Sequence, residues 1–359
     1  MKRSINWAVA GILLATAGMV CADPLPSVAE RPREYLIGVN IAGGEFWDRT
    51  RNQDPNYGWP SEKTLDYFAG KGFELVRLPF AWERIQPALG GPLDPGYSAA
   101  LVRTIEQIGR RKMLVLLDLH NYARYDGKTL SQGGFTYAQF ADVWDRIAAL
   151  VKPQQKYIWG YGLMNEPYIQ GPEKIPFWQG AIDAVRKHDP KRKITVSGEA
   201  LKGEADPQQF HLKDPARAIV YESHFYFDHD GSGTYKRTYE EESSMPNPRV
   251  NPMVGVERIK KFIDVCEKNN VHCMIGEFGA PAGDGVDPRW LDALDNALKY
   301  MHEHRITSTY WAAGDYWSRR GASYVIGENG WKAGEHEGED RPQVKILTKY
   351  IEMKKAGKQ

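Results

Sequence analysis

Eight short apolar runs, each followed by a longer stretch with helical periodicity, alternate through this chain from residue 35 onward, and few folds accommodate such a pattern. The runs are YLIGVN (35–40), ELVRLP (74–79), KMLVLLDLH (112–120), IWGYGLMNE (158–166), KITVSGE (193–199), AIVYESH (218–224), HCMIGEF (272–278) and STYWAAG (308–314). Each has the length and the branched or aromatic content of a buried strand. Between them, Phe140, Val143, Trp144, Ile147 and Val151 share one helical face behind Thr136, and Leu291, Leu294, Leu298 and Met301 share another behind Asp287-Pro288. Similar stripes follow Ser98 (Leu101, Val102, Ile105, Ile108) and Met253 (Ile259, Phe262, Ile263, Cys266). Strands joined through a helix pair in parallel. Eight such units over roughly 320 residues predict an α/β protein, one (β/α)8 barrel spanning residues 34–355, since that architecture needs about 250 residues. A doubly wound open sheet is the alternative. No repeat, low-complexity linker or second composition regime divides the chain, so a single domain is expected. The longest non-periodic stretch, Phe225 to Val250, exceeds an ordinary connection and is expected to shape the rim of a site.

Charge excludes some partners. Lys+Arg 47 against Asp+Glu 46 leave a net charge of +1, so no overall field favours nucleic acid or an anionic membrane, and an uncharged partner is expected. With 11 Trp and 19 Tyr the chain is rich in flat amphipathic rings that suit ligands with apolar faces and polar rims, although most of these rings are expected in the core. The N-terminal MKRSINWAVAGILLATAGMVCAD has two basic residues, an apolar run and a small-residue exit, which reads as a cleaved export signal over residues 1–22 followed by a Pro-containing lead, 23–33. The run is short for a spanning helix, which needs roughly 20 apolar residues, so secretion to the periplasm or the exterior is expected, with no membrane association after cleavage. Cys21 leaves lipidation as an alternative, against which the bulky Val20 counts. An oxidising destination permits Cys266 and Cys273 to pair, with two buried thiols as the other reading. CxxC, HExxH and Gly-rich phosphate motifs do not occur, so no metal or cofactor is expected.

In a βα barrel the reacting groups sit at the C-terminal ends of the strands. Those ends carry Arg77, His120 with Asn121, Asn165 with Glu166, His224 with Tyr226, Glu277 and Trp311. Alone, each has an ordinary reading: a glutamate as helix cap, a histidine satisfied in the core, an arginine in an ion pair. Together they form the kit for glycoside cleavage, which needs one carboxyl to protonate the leaving oxygen and another to attack or to activate water. The acid must keep its proton near neutral pH and the nucleophile must stay ionised. Arg77 and Tyr226 are candidates to hold Glu277 charged, and His224 to position one carboxylate. Asn165 is a candidate partner for a sugar 2-hydroxyl, and Trp311 for an apolar floor.

The segments VRLPFAWER (76–84), LDLHNYARY (117–125), GLMNEPY (162–168), ESHFYFD (222–228), IGEFGAP (275–281) and STYWAAGDYW (308–317), with the opening IGVNIAGGEF (37–46), resemble the signature strand ends of glycoside hydrolase family 5, in particular its endoglucanases. The resemblance implies a TIM barrel, Glu166 as catalytic acid/base, Glu277 as nucleophile, and Arg77, His120, Asn165, His224, Tyr226 and Trp311 as the substrate-binding shell. It implies net retention of anomeric configuration, with the two carboxyls about 5–5.5 Å apart, and gives no reason to expect a metal. Phe46, Trp47, Trp82, Tyr122, Tyr125, Tyr168, Phe227 and Trp317 are candidate sugar platforms, and Glu328 and Trp331 candidate cleft residues. The expected substrate is a β-1,4-glucan of cellulose type, cut at internal bonds by a monomeric enzyme. Mannanase, xyloglucanase or mixed-linkage glucanase activity is the enzymatic alternative, and a non-catalytic carbohydrate-binding barrel the alternative of another class.

Overall fold

A computed structural model describes residues 34–357 apart from 47–53, 55–56, 170–173, 199–210, 248, 316–325 and 327–338. The expected signal peptide and lead, together with Trp47, Trp317, Glu328 and Trp331, lie outside the described residues.

The eight apolar runs form eight strands: β1 (Ile37–Ile41), β2 (Leu75–Phe80), β3 (Leu114–Leu119), β4 (Ile158–Gly162), β5 (Lys193–Ser197), β6 (Ile219–Tyr226), β7 (His272–Gly279) and β8 (Ser308–Ala313). They pair in parallel, each with its neighbour in sequence, and β8 pairs with β1, so the sheet closes into a barrel and the open-sheet alternative is excluded. The helices packed around it are α1 (Glu62–Lys71), α2 (Pro95–Arg110), α3 (Tyr137–Leu150), α4 (Lys174–Arg186), α5 (Val254–Lys268), α6 (Arg289–Glu303) and α7 (Pro342–Ala356). Among the described residues no helix is long and apolar enough to cross a membrane.

Local chemistry accounts for the helix starts. Thr136 caps α3 as expected, in a reciprocal box with Gln139. Helix α2 begins one turn earlier than Ser98: the Asp94 carboxylate accepts from Tyr97 N at 2.7 Å and Pro95 occupies the first turn, where its missing N–H is harmless. The expected faces of α3 and α5 are buried, Phe140, Val143, Trp144, Ile147 and Phe262 completely. Cys266, near the end of α5, and Cys273, near the start of β7, form a disulfide with Cα atoms 6.3 Å apart, which settles the pairing left open by the sequence.

The barrel interior changes character along its axis. Its lower end is an apolar plug of Leu36, Leu75, Leu116, Trp159, Val220 and Met274. Above the plug the inward positions become polar and remain buried: Arg77, Asp118, Thr195, Glu222, then Asn40, His120, Asn165, His224 and Glu277. One irregularity creates the upper layer on β7. Ser223 pairs with Ile275 but His224 with Glu277, so Gly276 is an extra residue, a bulge that turns Glu277 inward. Only glycine fits there, because a Cβ would lie 2.0 Å from Glu222 Oε1.

Candidate active site

The structure brings all eight predicted site residues to one end of the barrel. Arg77, 1% exposed, is the hub. Its Nη1 donates to Asn40 Oδ1 (2.9 Å) and Glu277 Oε1 (3.0 Å) and lies 3.1 Å from Asp118 Oδ2, while Nη2 donates to Asn165 Oδ1 at 2.7 Å. Its Nε is 2.7 Å from Glu222 Oε1, an ion-pair contact whose N–H is not aligned for a hydrogen bond. The rigid guanidinium fork thus serves groups from five different strands or strand ends, which a lysine could not do.

Glu277 is buried, and its second oxygen, Oε2, accepts from the Tyr226 hydroxyl at 2.7 Å. Burial, reinforced by the charge of Glu277, pushes Tyr226 well above its ordinary pKa and keeps it a donor. Glu166 follows β4 by four residues in a left-handed conformation (φ 38°), and its side chain is 41% exposed, so it faces the opening rather than the interior. Its Oε1 is 2.8 Å from His224 Nδ1, which is also 3.6 Å from Glu277 Oε2. One oxygen of Glu166, one of Glu277 and a ring nitrogen of His224 lie within 4.8 Å of one another.

Burial alone would discharge His224. The Glu277 charge and hydrogen bonds to Glu166 and Glu222 outweigh it and push its pKa up to about 10. Glu222, also buried, is drawn the other way to about 2: desolvation opposes ionisation, but Arg77, His224 and the Thr195 hydroxyl (2.7 Å) together overcome it. The interior of the site is therefore a set of buried ions matched to each other.

On the opposite wall, His120 Nδ1 lies 2.7 Å from Asp118 Oδ2 and its Nε2 3.1 Å from Asn165 Nδ2. Trp311, half-buried and followed by a cis peptide bond, stacks on the His120 ring with centroids 5.4 Å apart and planes 15° off parallel. Tyr122, beside His120, and Tyr168, two residues past Glu166, are exposed at the rim and joined through a Tyr168 N to Tyr122 O bond of 3.3 Å.

Some expectations change. Trp82 is fully buried against Phe135 and Phe140, and Phe227 is fully buried, so neither is a sugar platform. Tyr125 packs edge-on to Trp82 and donates to Gln86 O, a structural role. Asn165 is 2% exposed, with its amide oxygen accepting from Arg77 and its amide nitrogen 3.1 Å from His120 Nε2. Asn40, Asp118, Thr195 and Glu222 escaped sequence reasoning. A signal existed in the two-residue period: Asp118 precedes His120 by two, and Glu222 stands between Val220 and His224 on the inward face of β6.

The sequence profile described as Cellulase (glycosyl hydrolase family 5) matches residues 38–317. The chain belongs to this family. It is a glycoside hydrolase on a single (β/α)8 barrel. Among relatives of this family 5 enzyme, the manganese dependent endoglucanase Eg5A of Phanerodontia chrysosporium is 31% identical over 327 residues, covering 86% of this chain and 79% of the relative. The Pseudomonas stutzeri endoglucanase Cel5A in complex with cellobiose superposes with a TM-score of 0.76 at 32% identity, over 88% of this chain and 92% of that one. The endo-β-1,4-glucanase Xac0029 of Xanthomonas axonopodis pv. citri superposes with a TM-score of 0.74 at 29% identity, over 89% and 99%.

Proposed function

We propose that this family 5 enzyme is a secreted endo-1,4-β-glucanase that cuts internal bonds of cellulose-type glucan with retention, using Glu166 as acid/base and Glu277 as nucleophile. The observation that carries the mechanism is the short carboxyl separation, one oxygen of each within 4.8 Å of the other. Inverting enzymes hold their carboxyls about 6.5–9.5 Å apart to admit a water, whereas close carboxyls suit direct attack. The substrate reading rests on the relatives, three of which are named as endoglucanases, one of them bound to cellobiose.

In the first step Glu277, its negative charge supported by Arg77 and Tyr226, attacks the anomeric carbon while the proton on Glu166 passes to the leaving glycosidic oxygen. In the second, Glu166 takes a proton from water, which displaces Glu277 from the sugar. Protonated His224, bonded to Glu166 and 3.6 Å from Glu277, steadies both carboxyls as charge moves between them. Trp311 forms the apolar floor, and His120 and Asn165 the inner wall, of the sugar subsite.

The name of one relative carries manganese. Glu166, His224 and Glu277 could converge on a cation by distance, but their donors do not fit one. Both ring nitrogens of His224 are engaged by Glu166 and Glu222, and Glu277 is engaged by Arg77 and Tyr226. The mechanism is therefore routed through side chains alone.

The test is release of reducing ends from carboxymethylcellulose, mannan, xyloglucan and mixed-linkage glucan by purified residues 23–359, beside Glu166→Gln and Glu277→Gln, with NMR of the first anomer released. Cellulose-type glucan cut with a retained β-anomer and two silent variants is expected. Preference for mannan overturns the substrate reading, an inverted anomer the mechanism, and an active Glu277→Gln the assignment of the nucleophile.

A further inference from the structure

The segment YFDHDGSGTY (226–235) runs from the end of β6 into the rim, and the mechanism uses only its first residue. The next residues fold back over that tyrosine. Asp228 is 2% exposed, and its carboxylate gathers four donors: Gly233 N (3.0 Å), Thr234 N (3.1 Å), Tyr235 N (3.2 Å) and Ser232 Oγ (3.0 Å). This curls the chain so that Gly233, at φ +71°, lies flat on the Tyr226 ring; a Cβ there would stand 2.6 Å from the ring carbon Cδ1. The loop is tied down at both ends. Tyr235 accepts from Phe227 N at 3.1 Å and donates to Gly279 O, joining the end of β6 to the end of β7, two residues from Glu277. Arg258 of α5 donates to the carbonyls of Tyr226, Asp228 (2.8 Å) and His229 (3.1 Å).

A phenol bonded to a carboxylate is useful only while its ring is held, because the bond depends steeply on angle and distance. The covering turn packs on the face of the ring, and a carboxylate that satisfies three successive amides is a rigid way to hold such a turn. We propose that Asp228 is a positioning residue: by gathering the amides of residues 233–235 it presses Gly233 onto Tyr226 and so fixes the Tyr226 hydroxyl on the nucleophile. The inference rests on the reading of Glu277 as nucleophile. The other titratable groups around this pair include Arg77 from β2, His120 and Tyr122 after β3, Glu166 after β4, Glu222 and His224 from β6, Tyr235 from the turn and Arg258 from α5, and the variants below leave all of them in place.

The experiment is kcat/KM against pH on a soluble cello-oligosaccharide for Asp228→Asn, Gly233→Ala, Tyr226→Phe, the Asp228→Asn/Tyr226→Phe double variant and Glu277→Gln, with a thermal melt of each. Asp228→Asn and Gly233→Ala should lower kcat/KM roughly ten- to hundredfold, the scale of one hydrogen bond to a charged group, with KM little changed. Both should move the acidic limb in the same direction as Tyr226→Phe, because a carboxylate that loses a donor is easier to protonate. The double variant should be no worse than Tyr226→Phe alone, since the loop acts through that ring. Acidic limbs unmoved in both loop variants, or multiplicative effects in the double variant, overturn the proposal. Should Asp228→Asn melt below the assay temperature, its profile and that of the wild type are taken at a lower temperature at which both are folded, and the same shift of the acidic limb decides the question. An active Glu277→Gln sinks the underlying reading instead, so the two failures are distinguishable.

Discussion

Replacing Arg77 with methionine tests the electrostatic design of the site, because it keeps the volume of the side-chain stem and removes only the cation. Arg77 is 1% exposed and stands within 3.1 Å of three carboxylates, those of Asp118, Glu222 and Glu277. Removing one partner of a buried pair costs about 3–5 kcal/mol, since the remaining charge is left without compensation. For a domain of this size that is a fall in Tm of roughly 5–15 °C at neutral pH. The pH dependence identifies the cause. In the wild type, Glu222 is pulled from 4.5 to about 2 by Arg77 and its other partners against the cost of burial. A carboxylate with a depressed pKa contributes stability that is present above the unfolded value and lost as pH falls through the folded one. Arg77→Met lacks most of that contribution from the start. The Tm gap between the two proteins should therefore be full above about pH 4.5 and narrow steadily toward pH 2, as the wild type loses the contribution of its paired carboxylate. Paired calorimetric scans over that range measure it. A gap that is the same at neutral and acid pH would mean that the loss is packing rather than charge and would refute the reasoning.

Two further outcomes follow from the same structure. His224 is raised from 6.5 to about 10, so its contribution is fully present below 6.5 and lost as pH rises through the folded value; wild-type Tm should decline between those limits, and His224→Asn should flatten the decline in parallel alkaline melts. The disulfide closes a short loop, Cys266 to Cys273, at the end of the barrel away from Glu277, so its loss should cost roughly 2–3 kcal/mol in the loop-entropy account without altering kcat. Cys266→Ser/Cys273→Ser, compared with wild type by melt and by activity below the transition, checks both halves; a fall in kcat there contradicts the separation of stability and catalysis along the barrel axis.

The amino-acid sequence by itself determined the eight strands, the faces of the helices and the residues that close each strand, because these follow from periods of two and 3.6 and from caps, all of which act over a few residues. The pairing Thr136–Gln139 is legible in the same way. What the sequence could not decide is what each side chain meets. Both faces of a barrel strand are buried, one against the helices and one inside, so apolar character does not tell Phe80, which packs outward on Trp144 of α3, from Trp311, which lines the cleft on His120. Nor does it show that Glu222, an acid in mid-strand, meets its counter-ion: Thr195 comes from the neighbouring β5 and His224 from β6 itself, but Arg77 comes from β2 and reaches Glu222 only when the sheet closes. Tertiary structure also set the bulge at Gly276, since whether Glu277 points inward depends on the register that β6 imposes on β7. Closure of the barrel makes these decisions because it brings charges distant in sequence into a low-dielectric interior, where each must find its counterpart or cost the fold several kcal/mol.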